Sequence, residues 1–243
     1  FQIVRRAPPD AQIVLTLHEY LAICHHHGQM ITTGRHSLCR EASLAHCHSC
    51  FPEHSPADFF LRKLYIQHFF NFVDCFIAPS HFLAERYIAW GVPASRISVI
   101  ENLVPATTDA VDPPHKPDAL LRIGFFGQIS WLKGCNVIFD TAEILAAEKN
   151  TVIRFDIHGD YRGQKPEFQA EFLKRLDETG SNLVYHGPYE NSTVDRLMRG
   201  VDAVLVPSVW WENSPVVIQE ARRNRKPVLC SDIGGMAEKI RHG

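Results

Sequence analysis

No long hydrophobic run occurs in this sequence. Its uninterrupted apolar stretches fall far short of the 18 or so residues that a bilayer-crossing helix needs, so no transmembrane span is expected. Nor is there a surplus of charge of either sign. The 25 Lys and Arg against 27 Asp and Glu leave a net −2 and a pI near 6.7, which argues against a general nucleic-acid binder. The 14 histidines add positive charge only below about pH 6.5. Internal repeats and low-complexity tracts are absent, which excludes collagen-like and disordered classes. A Walker A loop is missing, since no glycine-rich loop ends in Gly-Lys-Ser/Thr, and so is the G-x-G-x-x-G fingerprint. The chain opens on Phe1 with no charged-then-apolar leader and stops at Arg241-His242-Gly243, so it is expected to be an internal piece of a longer protein.

What remains is an ordinary globular composition, 45% apolar and 21% charged over 243 residues, enough for one large or two modest domains. From residue 121 the pattern beats regularly. Strands are expected at 121–126, 153–157, 183–185, 203–206 and 227–230, with helices at 134–148, 167–178, 193–199 and 215–224 between them. Short apolar runs alternating with helical patterns predict βαβ units on a parallel sheet. The first hundred residues repeat the theme less cleanly. Strands are expected at 12–17, 75–78 and 97–100, and a helix at 58–73. Another helix runs to Trp90, with Ser80 able to cap it and Gly91 to end it. Pro105, Pro113, Pro114 and Pro117 fall in a polar stretch that can hold neither ladder. The expected organisation is therefore α/β: two Rossmann-like domains, 1–104 (the truncated one) and 119–243, joined by a linker at 105–118.

Open parallel sheets bind ligands at the carboxyl ends of their strands. After the first strand of the second domain comes Gly127-Gln128, then Lys133 at a helix start, a combination that suits a phosphate. The fourth strand of that domain leads through Trp211-Glu212-Asn213-Ser214-Pro215 into a helix carrying Glu220. Ser214 is expected as its cap and Pro215 as its first residue. Glu220 then lies roughly 8 Å along the helix. Two carboxylates so spaced beside unpaired backbone amides suit an extended ligand with a diphosphate in its middle; an ordinary helix with acids favouring its dipole is the plain alternative.

Glu212 and Glu220 match the E-x7-E motif, and together with Val201–Ser208, Lys226-Pro227-Val228, Ser231–Gly235 and Glu238 the run resembles the retaining glycosyltransferases of the GT-B fold, the family-four group (glycosyl transferases group 1). Ala78-Pro79-Ser80, Trp90–Pro93, Arg96–Asn102 and Gly127–Gly134 fit that family in the same order, so the resemblance covers nearly the whole chain. It implies transfer of a sugar from a nucleotide-diphosphate-sugar donor to an acceptor hydroxyl with retention. Lys133 would bind the diphosphate, Glu220 the ribose hydroxyls and Glu212 the donor sugar, while backbone amides near Ser214 and Val216 would steady the leaving phosphate. His18, in Leu15–Tyr20, matches a family histidine placed near the reacting sugar. No D-x-D motif occurs, as expected of an enzyme needing no divalent ion for catalysis. Two departures stand out: Gln128 where the family often has arginine, and Glu101 and Leu103 flanking Asn102 in place of proline and glycine.

The resemblance further implies a role in surface polysaccharide or glycoconjugate synthesis. A cytoplasmic enzyme is expected, with a carbohydrate or lipid-linked carbohydrate acceptor and room for peripheral contact at the membrane. The rival readings are a degenerate nucleotide-sugar-binding module and a GT-B-fold epimerase or phosphorylase. The helix over 58–73 carries Phe59, Phe60, Leu61, Leu64, Tyr65, Phe69, Phe70 and Phe72, and buried core is favoured for it over lipid contact.

An odd number of cysteines, seven, without a leader favours a reducing compartment. Cys75, Cys135 and Cys230 sit in apolar runs and read as buried free thiols. Cys24, Cys39, Cys47 and Cys50 are clustered among histidines, and Cys47-His48-Ser49-Cys50 has the C-x2-C spacing that zinc favours. A structural zinc, a redox pair and unligated thiols all remain open for these four.

Overall fold

The computed structural model describes residues 6–8, 10–104 and 120–241. The linker expected at 105–118 lies outside them. By contacts the chain divides into two compact units: Phe1–Asn102 with Trp210–Ser214 and Ile233–Glu238, and Leu103–Val209 with Pro215–Asp232 and Lys239–Gly243. Two short segments that the sequence assigns to the second domain thus group with the first unit.

Unit 1 holds a parallel three-stranded sheet, β1 (Val14–Thr16), β2 (Cys75–Ala78) and β3 (Ile97–Val99), in that order. Between β1 and β2 come α1 (Leu44–Cys50) and α2 (Pro56–Phe70); α3 (His81–Trp90) follows β2. Local chemistry sets these ends. Ser55 and Asp58 form a reciprocal capping box at α2, with Pro56 opening the helix. Ser80 caps α3, its hydroxyl accepting from the Leu83 N–H at 3.2 Å, and Gly91 closes it at a φ of 120°. Tyr20, Phe76, Leu83, Tyr87 and Trp90 anchor one core beneath the sheet.

The expectation that the aromatic helix is simply buried needs correction. Phe59, Ile66, Phe69 and Phe70 are buried, whereas Phe60, Leu61, Leu64 and Tyr65 stay exposed. Apolar residues encircle α2 instead of forming a stripe, so packing on one side leaves the other side's large side chains in solvent.

Unit 2 is a five-stranded parallel sheet of β4 (Leu121–Phe126), β5 (Ile153–His158), β6 (Leu183–Gly187), β7 (Ala203–Val206) and β8 (Val228–Cys230), in the order β6-β5-β4-β7-β8. The helices α4 (Cys135–Ala147), α5 (Pro166–Glu178), α6 (Val194–Arg199) and α7 (Val216–Arg223) connect them. The chain steps outward from β4 to β6 and then returns to build β7 and β8 on the other side. The strand order therefore reverses between β4 and β7, which is where open α/β sheets take their ligands. Ile123, Phe125, Ile138, Phe139, Ile157 and Phe172 fill the core between β4, β5 and their helices. A last short helix, α8 (Gly234–Ala237), belongs to unit 1.

Candidate functional site

At the carboxyl end of β4 the chain turns through Gly127, whose φ of 141° only glycine adopts readily. Its N–H donates to the His158 carbonyl at 3.1 Å, and no atom lies within 4 Å of where a Cβ would sit, so the space before it is open. Gln128 is exposed and Lys133 half-buried. The Lys133 N–H donates to the Ser130 hydroxyl at 3.3 Å, which fixes the loop leading into α4. Gly134, at a φ of 76°, caps α4 without a side chain, and a Cβ there would lie 1.9 Å from the carbonyl oxygen of Pro207, just past β7. The lysine loop is thereby pressed onto the end of β7, at the reversal point of the sheet.

Glu220 sits inside α7 with its side chain buried, 6% exposed. Burial pushes its carboxyl up from the ordinary carboxylate range, Asp195 adding to the rise and Arg223 opposing it. The Arg223 guanidinium is itself bound to Asp195 at 2.6 Å. Tyr189, just beyond β6, lies close enough for the Glu220 charge to help burial push its hydroxyl up to about 12. Phe126, His158 and His186 stack nearly parallel nearby, with centroids 4.8 and 4.5 Å apart, and Tyr189 stands edge-on to the first two. Sequence reasoning missed Tyr189 and this stack; their positions at strand ends were the only available signal.

The capping of α7 differs from expectation. The helix begins at Val216, and Pro215, with a ψ of 118°, is still extended. Ser214 is therefore one position too far back for its hydroxyl to reach the first-turn amides, and that hydroxyl is buried with no partner. Its carbonyl accepts from the Asn102 side chain at 3.4 Å. No side chain caps α7, which leaves its leading amides, beginning with Val216, for other acceptors.

In unit 1, Glu212 is buried and its carbonyl accepts from the Gly235 N–H at 2.6 Å. A Cβ on Gly235 would fall 1.6 Å from the Asn213 carbonyl, so the 210–214 segment packs directly on α8. His18 is exposed, and its carbonyl accepts from the Asn213 side chain at 2.6 Å. The Trp211 indole donates to the Cys39 carbonyl at 3.0 Å. Tyr20 is fully buried close to Glu212 and Glu238, its hydroxyl raised by burial and by both carboxylates, with Arg86 opposing. Unit 1 thus brings His18 and Glu212 into one neighbourhood through Asn213, while unit 2 gathers Gly127, Lys133 and Glu220 along its carboxyl edge. Cys24, Cys39, Cys47 and Cys50 lie in unit 1, and all four thiols are free.

Two parallel α/β sheets of this kind match solved glycosyltransferase structures and define the GT-B class. The chain belongs to the glycosyltransferases: residues 121–243 match the family described as Glycosyl transferases group 1, and residues 4–107 match Glycosyltransferase Family 4. A lipopolysaccharide 1,2-N-acetylglucosaminetransferase of Salmonella typhimurium is 28% identical over 69% of this chain and 46% of its own length. A D-inositol 3-phosphate glycosyltransferase of Nocardia farcinica is 29% identical over 50% of this chain and 27% of its own. Among solved structures, Anabaena Alr3699/HepE in complex with UDP and glucose aligns over 100% of this chain and 57% of its own, at 20% identity and a TM-score of 0.66. A lipopolysaccharide outer core galactosyltransferase, WaaB, aligns over 72% and 48% at 24% identity and a TM-score of 0.54. The chain thus spans about half the length or less of the curated relatives it matches. No helix among the described residues is long and apolar enough to cross a membrane.

Proposed function

We propose that this chain forms the donor side and part of the acceptor side of a retaining hexosyltransferase that uses a nucleotide-diphosphate sugar and needs no divalent metal for catalysis. The observation carrying this reading is Glu220: a carboxylate side chain on a residue only 6% exposed, its carboxyl raised by burial, at the carboxyl edge of a parallel sheet. Buried charged groups are rarely left without a polar partner, and a ligand can supply one. The two adjacent hydroxyls of a ribose are two such donors, at about the spacing of two carboxylate oxygens.

Lys133 is assigned to the diphosphate, beside the open space at Gly127 and the exposed amide of Gln128. The leading amides of α7, with those near Ser214, face the charge that grows as the diphosphate departs. Fixed donors aimed at developing charge are the main lever in such a step. The bond from the anomeric carbon to the phosphate oxygen breaks while a bond to the acceptor oxygen forms on the same face. The acceptor proton passes to the departing phosphate. Glu212 and His18 are assigned to the donor sugar's hydroxyls. The exposed Phe60, Leu61, Leu64 and Tyr65 of α2 favour a lipid-linked carbohydrate acceptor, with contact at the cytoplasmic membrane face, in surface polysaccharide or glycoconjugate synthesis.

A panel of nucleotide sugars and their bare nucleoside diphosphates, tested by thermal shift and by transfer on the full-length protein, checks the assignment. One nucleotide sugar is expected to stabilise beyond its diphosphate and to be consumed. Binding of a diphosphate with no turnover would reduce the protein to a binding module. Conversion of the sugar nucleotide to an epimer without an acceptor would point to an epimerase. Lys133→Ala is expected to weaken the diphosphate but not the nucleoside, and Glu212→Ala to lower kcat more than affinity.

A further inference from the structure

Two cations of unit 1 stand where helical periodicity places buried side chains. Lys63 follows Phe59 by four positions and precedes Ile66 by three, and Arg86 follows Leu83 by three and precedes Trp90 by four. All four neighbours are buried, so each cation shares their face of its helix and is itself half-buried. Long cations that only cover apolar surface keep their heads in water. Arg86 does not. Its Nη1 donates to the Arg40 carbonyl at 2.6 Å, its guanidinium lies 4.7 Å from the centroid of the Phe82 ring, and its Nε is buried without a hydrogen-bond partner. The Lys63 ammonium lies over the Trp90 ring at 5.7 Å.

Arg40, Lys63 and Arg86 line one cavity of about 210 Å³, bounded by α2, α3 and the 40–43 segment that leads into α1. That segment is fixed at both ends. The Cys39 N–H donates to the Met30 carbonyl at 2.8 Å, and the Ser43 hydroxyl caps α1 by accepting from the His46 N–H at 3.2 Å. Ile23, Met30, Ala89 and Trp90 supply an apolar wall. Glu41 is the one carboxylate of the lining among the described residues, so three cations against it leave two positive charges in excess. The cavity is smaller than the roughly 300–1,000 Å³ that drug-sized ligands occupy. It exceeds the roughly 150 Å³ that encloses benzene, and so suits one six-membered ring with one substituent. A phosphate monoester carries about −1.5 to −2 at neutral pH, which balances the excess.

We propose that this cavity binds a phosphate monoester carried on a body the size of one sugar ring. Arg40, Lys63 and Arg86 supply the charge that holds the phosphate oxygens, and the apolar wall takes the C–H face of the ring. The cavity is built wholly from unit 1 and does not depend on the roles assigned to Lys133, Glu212 and Glu220. The same phosphate chemistry occurs on a soluble sugar phosphate and in the headgroup of phosphatidic acid, and the test separates the two.

The full-length protein, with excess nucleoside diphosphate present to fill the donor side, is titrated calorimetrically with glucose 6-phosphate, inorganic phosphate and glucose. The ester should bind saturably and more tightly than inorganic phosphate, glucose should not bind, and added salt should weaken the ester. Arg40→Gln and Lys63→Gln should each raise its Kd by about tenfold, the loss of one charge-assisted bond. Arg96→Gln, in the same unit but outside the cavity, and Lys133→Ala should bind as wild type does. Sedimentation with phosphatidic-acid vesicles and with neutral phosphatidylcholine vesicles runs alongside. Binding of the soluble ester identifies a sugar phosphate as the occupant. Binding of the phosphatidic-acid vesicles alone, lost in the same two variants, places the ester on a lipid. Binding of neither would overturn the proposal, as would binding that survives both Arg40→Gln and Lys63→Gln, or glucose binding as tightly as its phosphate.

Discussion

Replacing Glu220 by Gln should move stability and nucleotide affinity in opposite directions. In the folded protein Glu220 is 6% exposed and its carboxyl is raised by burial. A carboxyl whose folded pKa lies above its unfolded one costs stability wherever it is ionised in the fold. The cost is full above the folded pKa and is relieved as pH falls through that value towards the unfolded one. At pH 7.5, without ligand, Glu220→Gln should therefore stabilise by about 1 kcal/mol, the low end of the cost of desolvating a charged or polar group. For a chain of this size that is roughly 2–4 °C in Tm, and the gain should fade towards pH 4.

Bound ribose inverts the balance. Two hydroxyls donating to a carboxylate contribute about 1.5–3 kcal/mol each, and a carboxamide retains part of one. A net loss of about 3 kcal/mol corresponds to roughly a hundredfold in Kd. Calorimetric titration with the best nucleoside diphosphate of the panel and with its 2′,3′-dideoxy analogue separates the terms. The dideoxy compound should bind wild type and variant alike. A variant that is less stable without ligand, or that still distinguishes the ribo from the dideoxy compound as wild type does, would refute the reasoning.

Three further outcomes follow from the geometry. Gly134→Ala puts a Cβ 1.9 Å from the Pro207 carbonyl at a φ of 76°, so the urea midpoint should drop by more than about 2 kcal/mol in stability; a loss under half of that would contradict the close approach. His158 is held down to about 4 by burial, with His186 adding and Asp156 opposing. A histidine whose folded pKa is depressed contributes stability at neutral pH that is lost as pH falls through its unfolded value near 6.5 towards 4. Its ring NMR shifts should stay flat between pH 8 and 5, and His158→Phe should flatten that part of the stability profile. Glu238 takes the His81 and Phe82 N–H groups at 2.9 and 2.6 Å at the start of α3, so Glu238→Ala should cost about 1 kcal/mol in a thermal melt. An unchanged melt would rule the cap out.

The repeating strands and helices were legible because each rests on neighbours in sequence. Ile153–His158 alternates apolar and polar residues, Ala203–Val206 is a short apolar run, and Ser80 and Gly91 do at α3 what a hydroxyl and an achiral residue do at any helix end. The misreadings share one cause: they depended on partners distant in sequence or on the state of one dihedral. Nothing local to α2 says that only Phe59, Ile66, Phe69 and Phe70 find a core to enter. Ser214-Pro215 reads as a helix start until Pro215 takes an extended ψ and moves the first turn one residue on. No periodicity could reveal that Glu238 caps a helix begun 157 residues earlier, or that Trp211 bonds to Cys39.

Glu220 shows the same limit at the site itself. Its spacing from Glu212 is written in the sequence, but its chemistry is not: burial raises the Glu220 carboxyl, Asp195 adds to the rise, and Arg223, bound to Asp195 at 2.6 Å, opposes it. The weight of each of these influences depends on how the chain packs around α7, which the spacing of the two glutamates does not record. The motif therefore fixes where the carboxylate stands, and burial with its charged neighbours sets its chemistry.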